Sequence, residues 1–277
     1  LTIGQKALTI TATADSKIYG SIKTYGAAST AFTSAGLVNS ETIGSVTITD
    51  TNSGGLATAN AGGAYALTPS LANDGTFNAA NYSITYAAGA LTVNTKALTV
   101  AAVSQSTTYG TSLVLGTNNT GATRYTVTGL VNSDAVTAVD LQYSGNGTVL
   151  ATTAANTYTN GIVASNATGT GLSNYTISYS PADLVVNAKA LTITASAGSK
   201  TYGATKTYGA GSNAFTSSGL VNNEAISSVT ITDTNSGGLA TANAGGTYAL
   251  TPSAAQGITT SNYSITYTAG ALTVNKA

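Results

Sequence analysis

Apolar residues alternate with hydroxyl-bearing ones in short runs along the whole chain. Leu8, Ile10 and Ala12 alternate with Thr9, Thr11 and Thr13, Val46 and Ile48 with Thr47 and Thr49, and Tyr82, Ile84 and Tyr86 with Ser83 and Thr85. A period of two puts each set on its own face, so these runs predict strands with one face buried. Gly and Asn cluster between the runs, and Ala88-Gly89 falls between the last two predicted strands of the first segment, where a hairpin turn is expected. Only Thr33 to Ile43 leaves room for a helical turn, because no stretch carries a capped stripe of period 3.6. The pattern predicts a mainly β chain with little helix. Its expected core in the first segment is Leu8, Ile10, Leu37, Val46, Ile48, Ile84, Leu91 and Val93.

The pattern recurs about every ninety residues, the size of a small domain. Lys6-Ala7-Leu8-Thr9-Ile10, Lys96-Ala97-Leu98-Thr99-Val100 and Lys189-Ala190-Leu191-Thr192-Ile193 open three segments. Tyr19-Gly20, Tyr109-Gly110 and Tyr202-Gly203 follow, then Gly36-Leu37-Val38-Asn39, Gly129-Leu130-Val131-Asn132 and Gly219-Leu220-Val221-Asn222. Each segment closes on Asn81 to Tyr86, Asn174 to Tyr179 or Asn262 to Tyr267, followed by Leu91 to Asn94, Leu184 to Asn187 or Leu272 to Asn275. The boundaries expected from these landmarks are 6–95, 96–188 and 189–275. Residues 1–5 copy the end of a repeat and 276–277 the start of one, which predicts further copies on both sides. The first and third copies share Ser45 to Gly63 unchanged as Ser228 to Gly246, an A-B-A order that suggests duplication in pairs.

In order and spacing these motifs resemble the MBG domain family of YGX type and the related YDG repeats of bacterial surface adhesins and haemagglutinin-like exoproteins. The resemblance covers essentially the whole chain. It implies β-grasp-like modules strung end to end as an elongated rod, with no catalytic residues to carry over. It also implies a structural stalk or spacer of a large secreted bacterial adhesin, projecting a distal binding region or building biofilm matrix at the cell surface. A glycan- or mucin-binding repeat module is the alternative. The implied partners are neighbouring repeats of the same chain, and host or matrix glycans through other regions. Pro181-Ala182-Asp183 stands where the other copies have Ala88-Gly89-Ala90 and Ala269-Gly270-Ala271, which puts the geometry of that turn in question.

Composition supports the non-enzymatic expectation. His, Cys, Met and Trp are absent, which removes imidazole bases, thiol nucleophiles and soft-metal ligands. Charged residues make up 6% of the chain and the net charge is zero, so no basic stripe could neutralise a run of phosphates. The 42% of hydrophobic residues still suffice for a folded core, and no apolar run approaches the roughly 20 residues of a spanning helix. Neither a nucleic-acid partner, nor a membrane span in this chain, nor a cofactor is expected.

Six groups of residues invite a sharper reading. Asp50-Thr51-Asn52-Ser53-Gly54-Gly55, repeated at Asp233 to Gly238, imitates half of a calcium loop but carries Ala61 or Ala244 where a bidentate Glu belongs, so a turn is expected. Glu41, Asp134 and Glu224 recur after each G-L-V-N and, having no partner acid nearby in sequence, read as turn or capping residues. Lys17, Lys23, Lys200 and Lys206 read as charges that keep sheet edges soluble, and the Tyr-Gly pairs as a core aromatic beside a turn. Asn81, Asn118, Asn146, Asn166, Asn174 and Asn262 each head an N-x-[ST] triplet. Parallel first and last strands would hold Lys6 and Asn94 at opposite ends, which argues against a bond between them.

Overall fold

The computed structural model describes residues 2–117, 119–121, 123–145 and 147–277. Asn118 and Asn146 lie outside them. Among the described residues each repeat has seven strands. In the first these are β1 (Lys6–Ala12), β2 (Asp15–Ile18), β3 (Phe32–Ala35), β4 (Ile43–Asp50), β5 (Tyr65–Gly75), β6 (Tyr82–Ala87) and β7 (Gly89–Asn94). The second has β8 (Lys96–Ala102), β9 (Gln105–Thr108), β10 (Tyr125–Thr128), β11 (Ala135–Tyr143), β12 (Asn156–Thr170), β13 (Tyr175–Ser180) and β14 (Ala182–Asn187). The third has β15 (Lys189–Ala195), β16 (Gly198–Thr201), β17 (Phe215–Ser218), β18 (Ser228–Asp233), β19 (Tyr248–Gln256), β20 (Tyr263–Thr268) and β21 (Gly270–Asn275).

These strands build one three-stranded and one four-stranded sheet per repeat, ordered β3-β1-β6 and β2-β7-β5-β4 in the first. The second repeat has β10-β8-β13 and β11-β12-β14-β9, and the third β17-β15-β20 and β16-β21-β19-β18. By proximity the chain divides into two compact units: residues 1–101, 120–140 and 164–180 form one, and 102–119, 141–163 and 181–277 the other. The first therefore holds the whole first repeat with the three-stranded sheet of the second, and the other holds the whole third repeat.

Within the first repeat β1 runs parallel to β6, with Lys6 opposite Tyr82, and β2 runs parallel to β7, with Ile18 opposite Asn94. The chain thus enters at one end of a parallel pair and leaves at the other, and Lys6 and Asn94 stand at opposite ends. The third repeat repeats the arrangement, with β15 on β20 and β16 on β21. The two sheets close over Leu8, Ile10, Ala12, Val46, Ile48, Leu67, Tyr82 and Leu91. Leu37 and Ile84, expected in this core, lie at its margin, half-buried.

Two expectations about local structure are corrected. Ala88-Gly89 is no hairpin turn: β6 and β7 belong to different sheets, and Ala88 carries the chain across from one to the other. Gly89 is required there, because a Cβ would lie 2.3 Å from the Ala12 carbonyl oxygen. Pro181 takes the crossover position in the second repeat without changing the strand lengths on either side. Thr33 to Ile43 holds β3 and a turn in place of a helical turn, with Asn39 and Ser40 at positive φ. The only helical residues among those described are single 3₁₀ turns before β6, β13 and β20.

Candidate functional site: the joints between repeats

The recurrent motifs converge where one repeat meets the next. In the first unit the turn after β2 presents Tyr19-Gly20, its shape set by four bonds. The amide of Tyr19 donates to the Asn94 carbonyl at 2.9 Å, that of Gly20 to the Ala57 carbonyl at 3.1 Å, and Lys17 Nζ donates to the Ser21 and Leu56 carbonyls. Lys17 is 5% exposed and Lys200 8%, which corrects their reading as edge charges. Burial lowers the pKa of Lys17, and the charge of Asp50 partly opposes this. In the second repeat Thr107 stands in, its hydroxyl donating to the Thr111 carbonyl at 3.1 Å.

Opposite this turn the second repeat offers a receptacle made by G-L-V-N-x-D and the start of β13. Gly129, at φ 115°, crosses close over β8, where a Cβ would lie 2.6 Å from the Ala97 carbonyl oxygen. Asn132 and Ser133, at positive φ, then turn the chain back so that the amide of Asp134 donates to the Val131 carbonyl at 3.0 Å. The Asp134 carboxylate accepts two phenols on Oδ2, Tyr19 of the first repeat at 2.9 Å and Tyr175 of the second at 2.8 Å. The two rings meet edge to face with centroids 5.5 Å apart. Tyr19, Ala59, Val93, Leu98 and Tyr175 form a buried cluster of their own.

Amides close the rim. Asn132 Nδ2 donates to the Ala57 carbonyl at 2.8 Å, and the amide of Ala61 donates to Asn174 Oδ1 at 2.8 Å. Gly20 is packed so closely that a Cβ would lie 2.6 Å from Val131 Cγ2. In the second unit the same parts recur. Tyr109 and Tyr263 donate to the two oxygens of Glu224 at 2.7 and 2.5 Å, Asn222 reaches the Ala151 carbonyl at 3.1 Å, and Asn262 accepts from the Ala155 amide at 2.9 Å.

Burial, and then the neighbouring carboxylate, push Tyr175 and Tyr263 up to about 12, opposed by bonds from the amides of Val131 and Val221 respectively. A carboxylate that accepts two buried phenols is suited to hold surfaces together. Asp134 and Glu224 are therefore joint residues, a role beyond the turn or cap expected of them. Tyr19 and Tyr109 sit in the joints and not in a repeat's own core. Sequence spacing hid this, because each acid and its distant tyrosine are 115 residues apart. Asn174 and Asn262, 4% and 6% exposed, are buried in the joints, whereas Asn81 and Asn166 are exposed.

The calcium-like segment resolves as a turn. The Asp50 carboxylate accepts the amides of Gly54 and Gly55 at 2.9 and 2.6 Å, and Asp233 those of Gly237 and Gly238 at the same distances. Both oxygens are thus engaged by backbone, and no cluster of three or more acidic residues occurs among the described residues.

Fold and joints together define a class: a tandem array of two-sheet β modules coupled by side chains that interlock across the joints. The sequence profile of the MBG domain (YGX type) matches residues 8–92, 98–185 and 191–273, and the chain belongs to that family. No curated protein matches the chain.

Proposed function

We propose that this chain is a load-bearing stalk segment of a large secreted bacterial adhesin, holding a distal binding region away from the cell or contributing to biofilm matrix, and that it is not an enzyme. The observation that supports the reading is the use made of the recurrent motifs. At both joints Tyr-Gly, G-L-V-N-x-[DE] and the Asn-Tyr that opens β13 or β20 hold one repeat to the next. Occurrence of MBG repeats in adhesin-like surface proteins agrees with it. Load applied along the chain would fall on the β1–β6 and β2–β7 pairs in shear, loading their ladder bonds together and not one after another.

Single-molecule pulling tests this. Handles at the chain termini should give unfolding steps of whole repeats at forces well above those needed when the first repeat is pulled through T49C and T68C, a facing pair on β4 and β5 that opens one bond at a time. Equal forces in the two geometries would contradict the stalk reading.

A further inference from the structure

In the first repeat a carboxylate is gripped by three donors. Asp15, at the start of β2, accepts Lys23 Nζ at 2.5 Å and the Ser16 amide at 2.7 Å on Oδ1, and the Tyr25 phenol at 2.9 Å on Oδ2. Burial raises the pKa of Asp15, yet the bonds from Lys23, Ser16 and Tyr25 together hold it below its ordinary value. The cradle therefore favours a charged carboxylate. It also lies within reach of solvent, since the Asp15 and Lys23 side chains are 35% and 38% exposed.

The other two repeats alter this cradle in different ways. In the second, Gln105, Leu113 and Leu115 replace acid, lysine and tyrosine alike, and Leu115 is buried. In the third only the acid is lost: Gly198 replaces Asp15, while Ser199, Lys206 and Tyr208 keep the donors. A Cβ on Gly198 would lie 3.0 Å from Tyr208 Oη and 3.5 Å from Lys206 Nζ, so both donors converge on the place a carboxylate takes in the first repeat. Tyr208 Oη is buried without a hydrogen-bond partner. Lys206 Nζ makes a long bond to the Ser199 carbonyl, 3.4 Å, and lies 5.9 Å from the centre of the Tyr208 ring. An unpaired buried hydroxyl is costly, so an acceptor brought to it is held with a gain. Lys206 and Tyr208 also border an open cavity of about 400 Å3, which gives a small solute its route.

We propose that the third repeat binds a small monocarboxylate in the place of the Asp15 side chain. One oxygen accepts from Lys206 Nζ and the Ser199 amide, and the other from the Tyr208 phenol. A free ion cannot approach the Gly198 backbone as closely as a bonded side chain does, so formate, the smallest carboxylate, fits best and each added carbon weakens binding. The Asp233 carboxylate acts against an anion here through its charge, which also bears on Tyr208. The first repeat shows that this opposition is overcome: Asp50 stands in the same relation to Tyr25, and the cradle holds Asp15 charged beside it. The inference stands on the comparison of the three repeats and does not depend on the stalk reading.

An NMR titration of the 15N-labelled full chain with sodium formate, at ionic strength held constant with sodium chloride, tests it. The Ser199 amide should shift saturably, with half-saturation at about 1–50 mM, the range open to a ligand of three heavy atoms. Acetate should bind several-fold more weakly, and propionate more weakly still. Y208F keeps the ring and removes one donor, and should weaken formate by about tenfold. G198D supplies its own carboxylate and should abolish binding. No saturable shift up to about 0.5 M formate, a shift that chloride alone reproduces, or binding unchanged in both Y208F and G198D would overturn the proposal.

Discussion

At the scale of single residues, the joints rest on a carboxylate shared by two phenols. Replacing Asp134 by Ala should cost about 1–3 kcal/mol for each phenol left without its acceptor. Glu41→Ala should shift denaturation less, since Glu41 accepts one tyrosine where Asp134 accepts two. Denaturant titration of the two variants side by side checks the difference. Alkali should also act on the joints. Tyr175 and Tyr263 are raised to about 12 in the fold from an ordinary value near 10, so their contribution is complete below about pH 10 and lost as pH rises through about 12. Phenolate absorbance should therefore show a late phase that coincides with loss of stability. A third prediction comes from comparing repeats. Tyr25 and Lys23 share Asp15, at 2.9 and 2.5 Å, but Gly198 stands in the equivalent place, and the buried Tyr208 hydroxyl has no partner. Gly198→Asp should raise the denaturation midpoint, by about 1 kcal/mol of stability, with the phenol tip shifting a few tenths of an ångström to admit it. Sequence reading found the acids and tyrosines of the joints but not their association, because a pairing between repeats leaves no local spacing to read. The buried Lys17 and Lys200 were misread for a related reason: a lysine whose ammonium is satisfied by backbone carbonyls looks in sequence like any surface lysine.

At the scale of elements, the Tyr-Gly turn is the piece whose neighbours differ from repeat to repeat. Gly20, Gly110 and Gly203 share φ values of 85° to 90°, so an Ala at any of them meets the same left-handed strain, roughly 1–2 kcal/mol. Gly20→Ala and Gly110→Ala must in addition push Val131 or Val221 aside, whereas Gly203→Ala meets nothing. The extra destabilisation of the first two, read by differential scanning calorimetry, measures the joint alone. Equal effects at all three sites would mean that the joints contribute no coupling. Strands were the most legible elements, since alternation such as Leu8-Thr9-Ile10 records directly which face is buried. Their partners were less legible. The adjacency of β6 and β7 in sequence suggested a hairpin, and only the close approach of Gly89 to the Ala12 carbonyl shows why the chain crosses between sheets there.

At the scale of the molecule, the stalk reading rests on transmission of direction. In the first and third repeats the parallel pairs bring the chain in at one end and out at the other, and interlocked joints resist reorientation of one repeat against the next. A stalk of three such repeats, each about 35–45 Å long from strand rise and turns, is expected under the proposal to extend to somewhat over 100 Å. Small-angle X-ray scattering of the dilute chain is the most direct test of that claim. The account predicts a radius of gyration above roughly 30 Å, and a value near the roughly 19 Å of a compact globule of this chain length would contradict it.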